Sequence, residues 1–176
     1  MTFSIKPASI ISFLSALFLL STGASAAQSS ATSDQDFLTR AIRNNQLELR
    51  LGHLATERGN SPDMKAMGEK MVKNHGDLEK QLEDLAQKSG ASQTPELTAD
   101  QQATYSRLAA LSGPDFDQNF KQTLNDIHVH ELSMYKSEVN QAQDPELHAL
   151  AQKRVATLEK TVNQAGQAPE SARKGW

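Results

Sequence analysis

Residues 115–142, DFDQNFKQTLNDIHVHELSMYKSEVNQA, show the apolar spacing of one long amphipathic helix. At about 100° per residue, the apolar stripe that begins at Phe120 still includes Tyr135 about four turns later. Glu131 lies only about 20° from the direction of Phe120, so its carboxyl group points into the predicted core. His128 lies one turn earlier, on the edge of the same stripe. The helix therefore presents a His-x-x-Glu pair to the elements that pack against it.

Three further long helices are predicted from the same periodicity and from capping residues. Ser61 followed by Pro62, and Asp144 followed by Pro145, are N-caps with a proline in the first helical turn. Ser33, with an acid three residues later, is the predicted N-cap of the first helix. The three helices are predicted at residues 34–58, 62–89 and 145–165.

Residues 91–113 form a connector between the second and third long helices. Thr98 is predicted to cap a short amphipathic helix inside it. If the connector runs the length of the molecule, the third long helix lies parallel to the second. The predicted fold class is therefore all-α: a four-helix bundle of two helical hairpins, joined by a long crossover that contains a short helix.

The two hairpins are related by an internal repeat with a shift of 83 residues. The shift keeps a proline at the start of the second helix of each hairpin and an acid at the centre of the first. Because caps, stripe and central acid stay in register, we interpret the match as a duplication. The matched pairs are Phe37/Phe120, Glu48/Glu131, Leu49/Leu132, Pro62/Pro145, Ala66/Ala149, Lys70/Lys153 and Val72/Val155.

Residues 1–26 have the composition of a secretory signal peptide. They contain one cation, Lys6, then an apolar run at residues 10–20, and then the small-residue motif ASA at residues 24–26. The apolar run is too short for a comfortable membrane span, which needs about 20 residues. We expect cleavage before Ala27 and a freely soluble periplasmic protein, with secretion or outer-membrane association as the alternatives.

Cleavage at this point would leave 150 residues and would remove Lys6, so the formal net charge would change from −3 to −4. This length fits one domain, predicted at residues 34–165 between a spacer at 27–33 and a mobile tail at 166–176. The mild acidity argues against nucleic acid as a partner. The chain has no cysteine, so it has neither a lipid-attachment cysteine nor a disulfide framework.

Four polar residues are predicted to meet near the middle of the bundle. Glu48 lies at the centre of the inward face of the first helix, and His75 at the centre of the inward face of the second. At about 1.5 Å per residue, these two lie about 18 and 22 Å from the turn between their helices. His128 and Glu131, on the third long helix, lie at similar heights when measured from the opposite end of the bundle. The candidate site residues are Glu48, His75, His128 and Glu131.

Four stretches of the sequence resemble a known family. They are LELRLGHLA at residues 47–55, MVKNH at 71–75, LSGPDFD at 111–117 and the stretch 128–138. The resemblance is to the exported proteins called domain of unknown function 4142, within the ferritin-like superfamily, and it covers residues 34–165. It implies a ferritin-like four-helix bundle in a periplasmic or outer-membrane protein without an established activity. This chain has Asn74 and Ile127 where the family usually has an acid before each core histidine.

Ferritin-like di-iron sites use one Glu on each of two helices and a Glu-x-x-His pair on each of the other two. Glu48 and Glu131 match the two single carboxylates. Val72 stands three residues before His75, and the repeat places Leu158 at the position equivalent to His75. The full di-iron ligand set is therefore incomplete in this sequence.

The remaining polar residues allow three interpretations. The first is a metal site for one divalent ion, Fe²⁺, Mn²⁺ or Zn²⁺, with Glu79 as a further candidate ligand. The second is a structural polar layer that fixes helix register, because two buried carboxylates need partners such as His75, His128 and Arg154. The third is a small-ligand pocket.

Two function classes follow from these interpretations. The sequence shows no Ser/His/Asp constellation, phosphate-binding glycine loop or basic aromatic strip, so an enzyme is not the favoured prediction. The favoured function is a non-enzymatic envelope or stress-related protein, with another envelope protein as a candidate partner. The alternative is a divalent-metal-binding or redox protein that uses a degenerate ferritin-like site in the bundle core.

Overall fold

The structure of the protein is a computed structural model that describes the backbone of residues 23–167 and the side chains of residues 33–166. This part of the chain consists of α-helices and the segments between them, without a β-strand. None of the described helices is both long and apolar enough to cross a membrane. The helices are α1 (Gly23–Arg58), α2 (Pro62–Ser89), α3 (Ala99–Ala109), α4 (Gly113–Gln141) and α5 (Pro145–Gln167).

The four long helices form two antiparallel hairpins, α1 with α2 and α4 with α5. The turn after α1 lies beside the start of α4, because the Asp117 carboxylate accepts hydrogen bonds from the backbone N–H groups of Asn60 and Ser61. At the other end, Lys88 near the end of α2 forms an ion pair with Glu146 near the start of α5. These contacts place α4 parallel to α2, so the connector that contains α3 crosses the length of the bundle. The predicted all-α, ferritin-like four-helix bundle of two hairpins with a long crossover is confirmed.

Capping residues set the helix boundaries where the sequence indicated them. The Ser61 hydroxyl and an Asp144 carboxylate oxygen each accept a hydrogen bond from the backbone N–H three residues later. Thr98 and Gln101 form a reciprocal capping box at the start of α3. Gly90 ends α2 with a φ of 78°, a left-handed conformation that favours glycine. Local hydrogen bonds therefore account for these four boundaries.

The start of α1 differs from the prediction. The helix begins at Gly23, ahead of the predicted N-cap Ser33, and continues through the predicted spacer. Residues 23–33 are rich in alanine and contain no proline, so their sequence does not stop a helix from extending. At the other end, α5 continues to Gln167, two residues into the predicted tail. Residues 1–22 and 168–176 lie outside the described range, so the signal peptide, its cleavage and the mobile tail stay predictions.

Two apolar clusters fill the bundle, one toward each end. The cluster that contains Phe37, Leu82 and Tyr135 lies toward the turn between α4 and α5, where the Phe37 and Tyr135 rings pack edge to face with centroids 5.2 Å apart. The cluster that contains Leu51 and Phe116 lies toward the turn between α1 and α2. The predicted inward faces of the four long helices are buried or partly buried. The clusters separate at mid-height, where buried polar side chains lie between them.

The bundle is closed on one side and open on another. Gly52 of α1 faces Gly68 of α2, and a Cβ atom at Gly68 would lie 2.6 Å from the Gly52 carbonyl oxygen. A larger residue at this position would therefore force the two backbones apart. Between α2 and α5, by contrast, a groove of about 910 Å³ is lined by residues of α2, α4 and α5. Three polar residues at mid-height, His75, His128 and Arg154, consequently line a groove on this side.

Each hairpin turn is held by an aspartate from the other hairpin. Asp117 of α4 accepts hydrogen bonds of 2.8 and 3.0 Å from backbone N–H groups in the turn between α1 and α2. Asp34 of α1 accepts hydrogen bonds of 3.2 and 3.0 Å from the backbone N–H groups of Gln143 and Asp144, between α4 and α5. The 83-residue shift relates Asp34 to Asp117 and relates the two turns that they bind. The repeat therefore extends from the sequence to the contacts that join the hairpins.

Replacing Asp117 with alanine should lower the free energy of unfolding at neutral pH by about 1–2 kcal/mol, because one carboxylate loses all its hydrogen bonds to the turn. Burial raises the pKa of Asp117, but hydrogen bonds from Asn60 and Ser61 outweigh burial and lower the pKa below its usual value. The stabilisation is therefore present above the unfolded-state pKa and is lost as the pH falls through the folded-state pKa. Urea unfolding at several pH values measures this difference.

The control for this prediction is Asp115→Ala, which removes an exposed acid from the first turn of α4, two residues before Asp117. Both substitutions remove one negative charge near the helix N-terminus, so the control accounts for most of the effect on the helix dipole. Equal losses of stability in the two variants at neutral pH would contradict the role assigned to the Asp117 contacts.

Candidate metal centre

The mid-height region contains side chains from all four long helices. We call these residues the polar layer: Asn45 and Glu48 on α1, His75 on α2, His128 and Glu131 on α4, and Arg154 on α5. Oε2 of Glu48, which is fully buried, lies 3.0 Å from Nε2 of His128 and 3.3 Å from Nε2 of His75. Three of the four predicted site residues therefore converge on one carboxylate oxygen.

Glu131, the fourth predicted site residue, pairs with Arg154 instead. Oε2 of Glu131 lies 3.1 Å from Nη2 of Arg154, and the guanidinium group also lies 5.5 Å from the centroid of the Tyr135 ring. The Glu131 carboxyl group remains within hydrogen-bonding reach of the Glu48 carboxyl group. Glu131 is therefore a neighbour of the converging group and does not complete it.

The three converging side chains are spaced as metal ligands are. One ligand atom from each of Glu48, His75 and His128 lies within 4.8 Å of the other two. Two ligand atoms bound tetrahedrally to one Zn²⁺ at about 2.0–2.1 Å are about 3.3–3.4 Å apart. The observed separations of 3.0 and 3.3 Å are close to this spacing. The three separations are therefore compatible with one ion bound by all three groups.

Asn45 fixes the orientation and the tautomer of His75. The Asn45 side-chain nitrogen donates a hydrogen bond of 3.0 Å to the backbone carbonyl of His75, which turns the Asn45 amide oxygen toward Nδ1 of the ring, 2.9 Å away. Since an amide oxygen only accepts, Nδ1 carries the proton and Nε2 keeps its lone pair toward Glu48. Ligating imidazoles in metal sites are oriented by a second partner in this way.

Burial dominates the electrostatics of the two carboxyl groups. It raises the pKa of Glu48 to about 7, against the lowering effect of Arg154. It raises the pKa of Glu131 to about 8, and the neighbouring Glu48 adds to this effect. Oε1 of Glu48 has no fixed N–H or O–H donor among the described residues, so the two carboxyl groups satisfy each other only when one is protonated. Near neutral pH the metal-free layer therefore holds a proton, which metal binding would release.

Both histidines of the layer are neutral near pH 7. Burial, together with the charges of Arg154 and His128, lowers the pKa of His75 to about 3. Burial also lowers the pKa of His128, with Glu131 opposing and Arg154 reinforcing the shift. The contact between His128 and Glu48 is therefore a hydrogen bond rather than an ion pair in the metal-free protein, and Nε2 of His75 can hydrogen-bond to Glu48 only when the carboxyl group carries a proton. Neutral imidazole is also the form that binds a metal ion.

The groove between α2 and α5 gives access to the layer. His75 and His128 both line it, and so do Met67 and Met71 on the same face of α2. The His128 side chain is 13% exposed, so solvent reaches the layer from this side. A small ion has a path to the three converging groups along this groove.

The second hairpin does not repeat the ligand group. Leu158 is buried at the position that the 83-residue shift relates to His75. Val72 precedes His75 by three residues, where a di-iron site needs a Glu. The residues therefore do not fit a ferritin-type di-iron centre, but they fit a single ion with two nitrogen ligands and one oxygen ligand.

The structure differs from the sequence-based prediction of the site at two residues, Glu79 and Asn45. Glu79 is not part of the converging group; it is partly exposed, one turn beyond His75 on α2. Asn45 was not predicted as a site residue, although it is buried at 2% exposure and contacts His75 through two hydrogen bonds. The sequence does indicate that Asn45 lies near the site, because it stands three residues before Glu48, on the edge of the inward face of α1.

The sequence profile of the domain of unknown function DUF4142 matches residues 19–168. The chain belongs to this family. The resemblance seen in the sequence is thereby confirmed for this DUF4142 protein. No curated protein matches the chain.

Several solved structures have the same fold as this DUF4142 protein. CopM in its Cu(I)-bound form is 18% identical, with a TM-score of 0.62 over 74% of this chain and 91% of CopM. CopM structures with Cu(II) and with silver also match. A DUF305 fragment from Deinococcus radiodurans is 14% identical, with a TM-score of 0.66 over 74% of this chain and 91% of the fragment. A DUF305 protein from Streptomyces coelicolor that is described as secreted is 11% identical, with a TM-score of 0.63 over 74% and 87% of the two chains.

Replacing Asn45 with alanine should release His75 from its single tautomer, because the acceptor of the Nδ1 proton is lost. In the wild type, ¹⁵N NMR should show Nδ1 of His75 protonated and Nε2 unprotonated from about pH 5 to about pH 8. The variant should show a mixture of tautomers. Asn44→Ala removes the neighbouring asparagine, which bonds Gln101 instead, and should leave the His75 signals unchanged. A wild-type His75 protonated on Nε2 would contradict the assignment.

Proposed function

We propose that this DUF4142 protein is an exported metal-binding protein that holds one transition-metal ion between Glu48, His75 and His128. The observation that carries the proposal is the convergence of three ligand atoms from three helices, within 4.8 Å, at the centre of the bundle. Two neutral imidazoles and one carboxylate form a donor set that suits several transition metals, among them zinc, copper and iron. Asn45 supports the proposal because it holds one imidazole with its lone pair toward the other two groups.

The structural neighbours support a metal-binding role. CopM has been solved with Cu(I), Cu(II) and silver bound, and it shares the bundle fold of this chain. The fold is therefore compatible with binding of such ions. Copper and silver consequently join Fe²⁺, Mn²⁺ and Zn²⁺ as candidate ions for the polar layer.

Export of the protein is part of the proposal. Residues 1–26 have the composition of a signal peptide, and one structural neighbour is described as secreted. We place the mature protein in the periplasm, with secretion or outer-membrane association as the alternatives. A single-ion bundle in this compartment would act by sequestering metal in the cell envelope.

A second candidate function is structural, and the contact between Glu131 and Arg154 favours it. These two groups already form a buried ion pair without any metal ion, at 3.1 Å. A layer of this kind would fix helix register, because each polar group meets its partner only at one relative height. The protein would then be a non-enzymatic envelope protein that acts through its surface on another envelope component. The two candidates differ in whether the group around Glu48 binds an ion.

Metal binding is tested with protein that is purified without an affinity tag and then treated with a chelator. Titration with Cu(I), Ag⁺, Zn²⁺, Mn²⁺ and Fe²⁺, followed by native mass spectrometry, should show one bound ion. The melting temperature should rise with the concentration of that ion, because a ligand of the folded state stabilises it. His128→Gln should reduce the affinity at least about tenfold, because one of three ligands is lost. His130→Gln removes an exposed histidine from the same helix and should bind like the wild type.

A wild type that binds none of these ions, with a melting temperature indifferent to them, would leave the structural layer as the function. Equal losses of affinity in His128→Gln and His130→Gln would mean that the ion binds elsewhere on the protein.

A further inference from the structure

The polar layer breaks the internal repeat that the rest of the bundle follows. The repeat keeps a buried acid at the centre of each hairpin, but the partners of the two acids differ. The first acid faces imidazoles, whereas the second faces a guanidinium group. The 83-residue shift relates the positions Glu48/Glu131, Met71/Arg154 and His75/Leu158.

Arg154 is a positioned charge within this layer. Its side chain is 15% exposed, bonds Glu131 at 3.1 Å and lies over the Tyr135 ring. Its charge also lowers the pKa values of Glu48 and His75, so it acts electrostatically on the converging group. A permanent positive charge therefore stands beside any ion that binds between the three ligands.

The charges of the ion-bound layer can be counted from its residues. As a ligand, Glu48 carries one negative charge and the two imidazoles carry none. Glu131 adds one negative charge and Arg154 one positive charge, so the layer carries a single net negative charge before the ion is added. A monovalent ion brings the layer to neutrality, whereas a divalent ion leaves a buried positive charge, which a low-dielectric interior disfavours. If Glu131 keeps its proton, the net charge of the layer with either ion becomes more positive by one. The monovalent ion is then still preferred over the divalent ion.

The ligand chemistry of the groove points in the same direction. Met71 lies one turn before His75 on the same face of α2, and both residues line the groove that leads to the layer. A thioether is a soft donor that suits Cu(I) and does little for Mg²⁺-like or Mn²⁺-like ions. Met71 therefore offers a soft donor beside a ligand group whose carboxylate is hard, so the charge of the layer carries the preference for this class of ion.

We propose that Arg154 is the specificity-determining residue of the site: its guanidinium group neutralises Glu131 and makes the layer selective for one monovalent soft ion, Cu(I) or Ag⁺, over divalent ions. This inference rests on the proposed metal-binding function and names the class of ion. Glu138 is another buried acid of α4, and it lies near the charges of Asp34 and Arg40. None of the variants compared below changes this residue, so it does not account for differences between them.

The test compares variants that differ in the net charge of the layer. For each variant, the affinities for Ag⁺ and Zn²⁺ are measured in chloride-free buffer and expressed as their ratio. The wild type should bind one Ag⁺ in preference to Zn²⁺. Arg154→Met gives the layer one more negative charge and should shift the ratio toward Zn²⁺ by at least about tenfold. Glu131→Gln removes a negative charge and should shift the ratio toward Ag⁺. The double variant of Arg154→Met and Glu131→Gln has the wild-type net charge and should return to the wild-type ratio.

Lys153→Met is the matched control, because it removes an exposed cation from the adjacent position on the groove. Solvent screens that charge, so the ratio should stay within about twofold of the wild type. A wild type that binds no ion would overturn the proposed function and this inference with it. A wild type that binds one ion, with an Ag⁺/Zn²⁺ ratio that does not follow the charge series, would overturn this inference alone. Circular dichroism verifies folding, and if Arg154→Met does not fold, Glu131→Gln and the double variant still decide the outcome.

Discussion

The buried carboxyl group of Glu48 is the constraint on which the rest of the bundle depends. A fully enclosed acid is costly unless it is paired, and its partners here come from two other helices, through His75 and His128. This requirement fixes the relative heights of α1, α2 and α4. The polar groups around Glu48 lie at mid-height, where the two apolar clusters separate.

The two hairpins share a framework and differ in chemistry. Asp34 and Asp117 bind equivalent turns at opposite ends of the molecule, so the framework obeys the repeat. In the middle, one hairpin supplies a histidine and the other supplies Arg154 at a different position of the repeat. Under the proposed function, a metal ion would compensate the buried carboxylate of Glu48, as the guanidinium group of Arg154 compensates that of Glu131. The bundle thus uses a different solution for each of its two core acids.

Much of this structure was predictable from the sequence, because helix faces, caps and the long crossover depend on local spacing and on chain length. The common height of the three converging residues followed from the rise per residue of a helix. The pairing of Glu131 with Arg154 did not follow, because the choice among neighbours a few ångströms apart depends on side-chain directions in the packed bundle. Asn45 was missed for a similar reason, since its bonds to His75 join different helices across 30 residues of chain. The early start of α1 was missed because an alanine-rich segment was interpreted as a spacer.

Anomalous X-ray diffraction from crystals of the protein loaded with one equivalent of Ag⁺ tests the central claim most directly. One strong anomalous peak is expected at about 2–2.5 Å from Nε2 of His75, Nε2 of His128 and a carboxylate oxygen of Glu48. The space between Glu131 and Arg154 should carry no peak. Ordered silver confined to exposed histidines such as His53 and His130, with none among the three converging groups, would contradict a metal site in the bundle core.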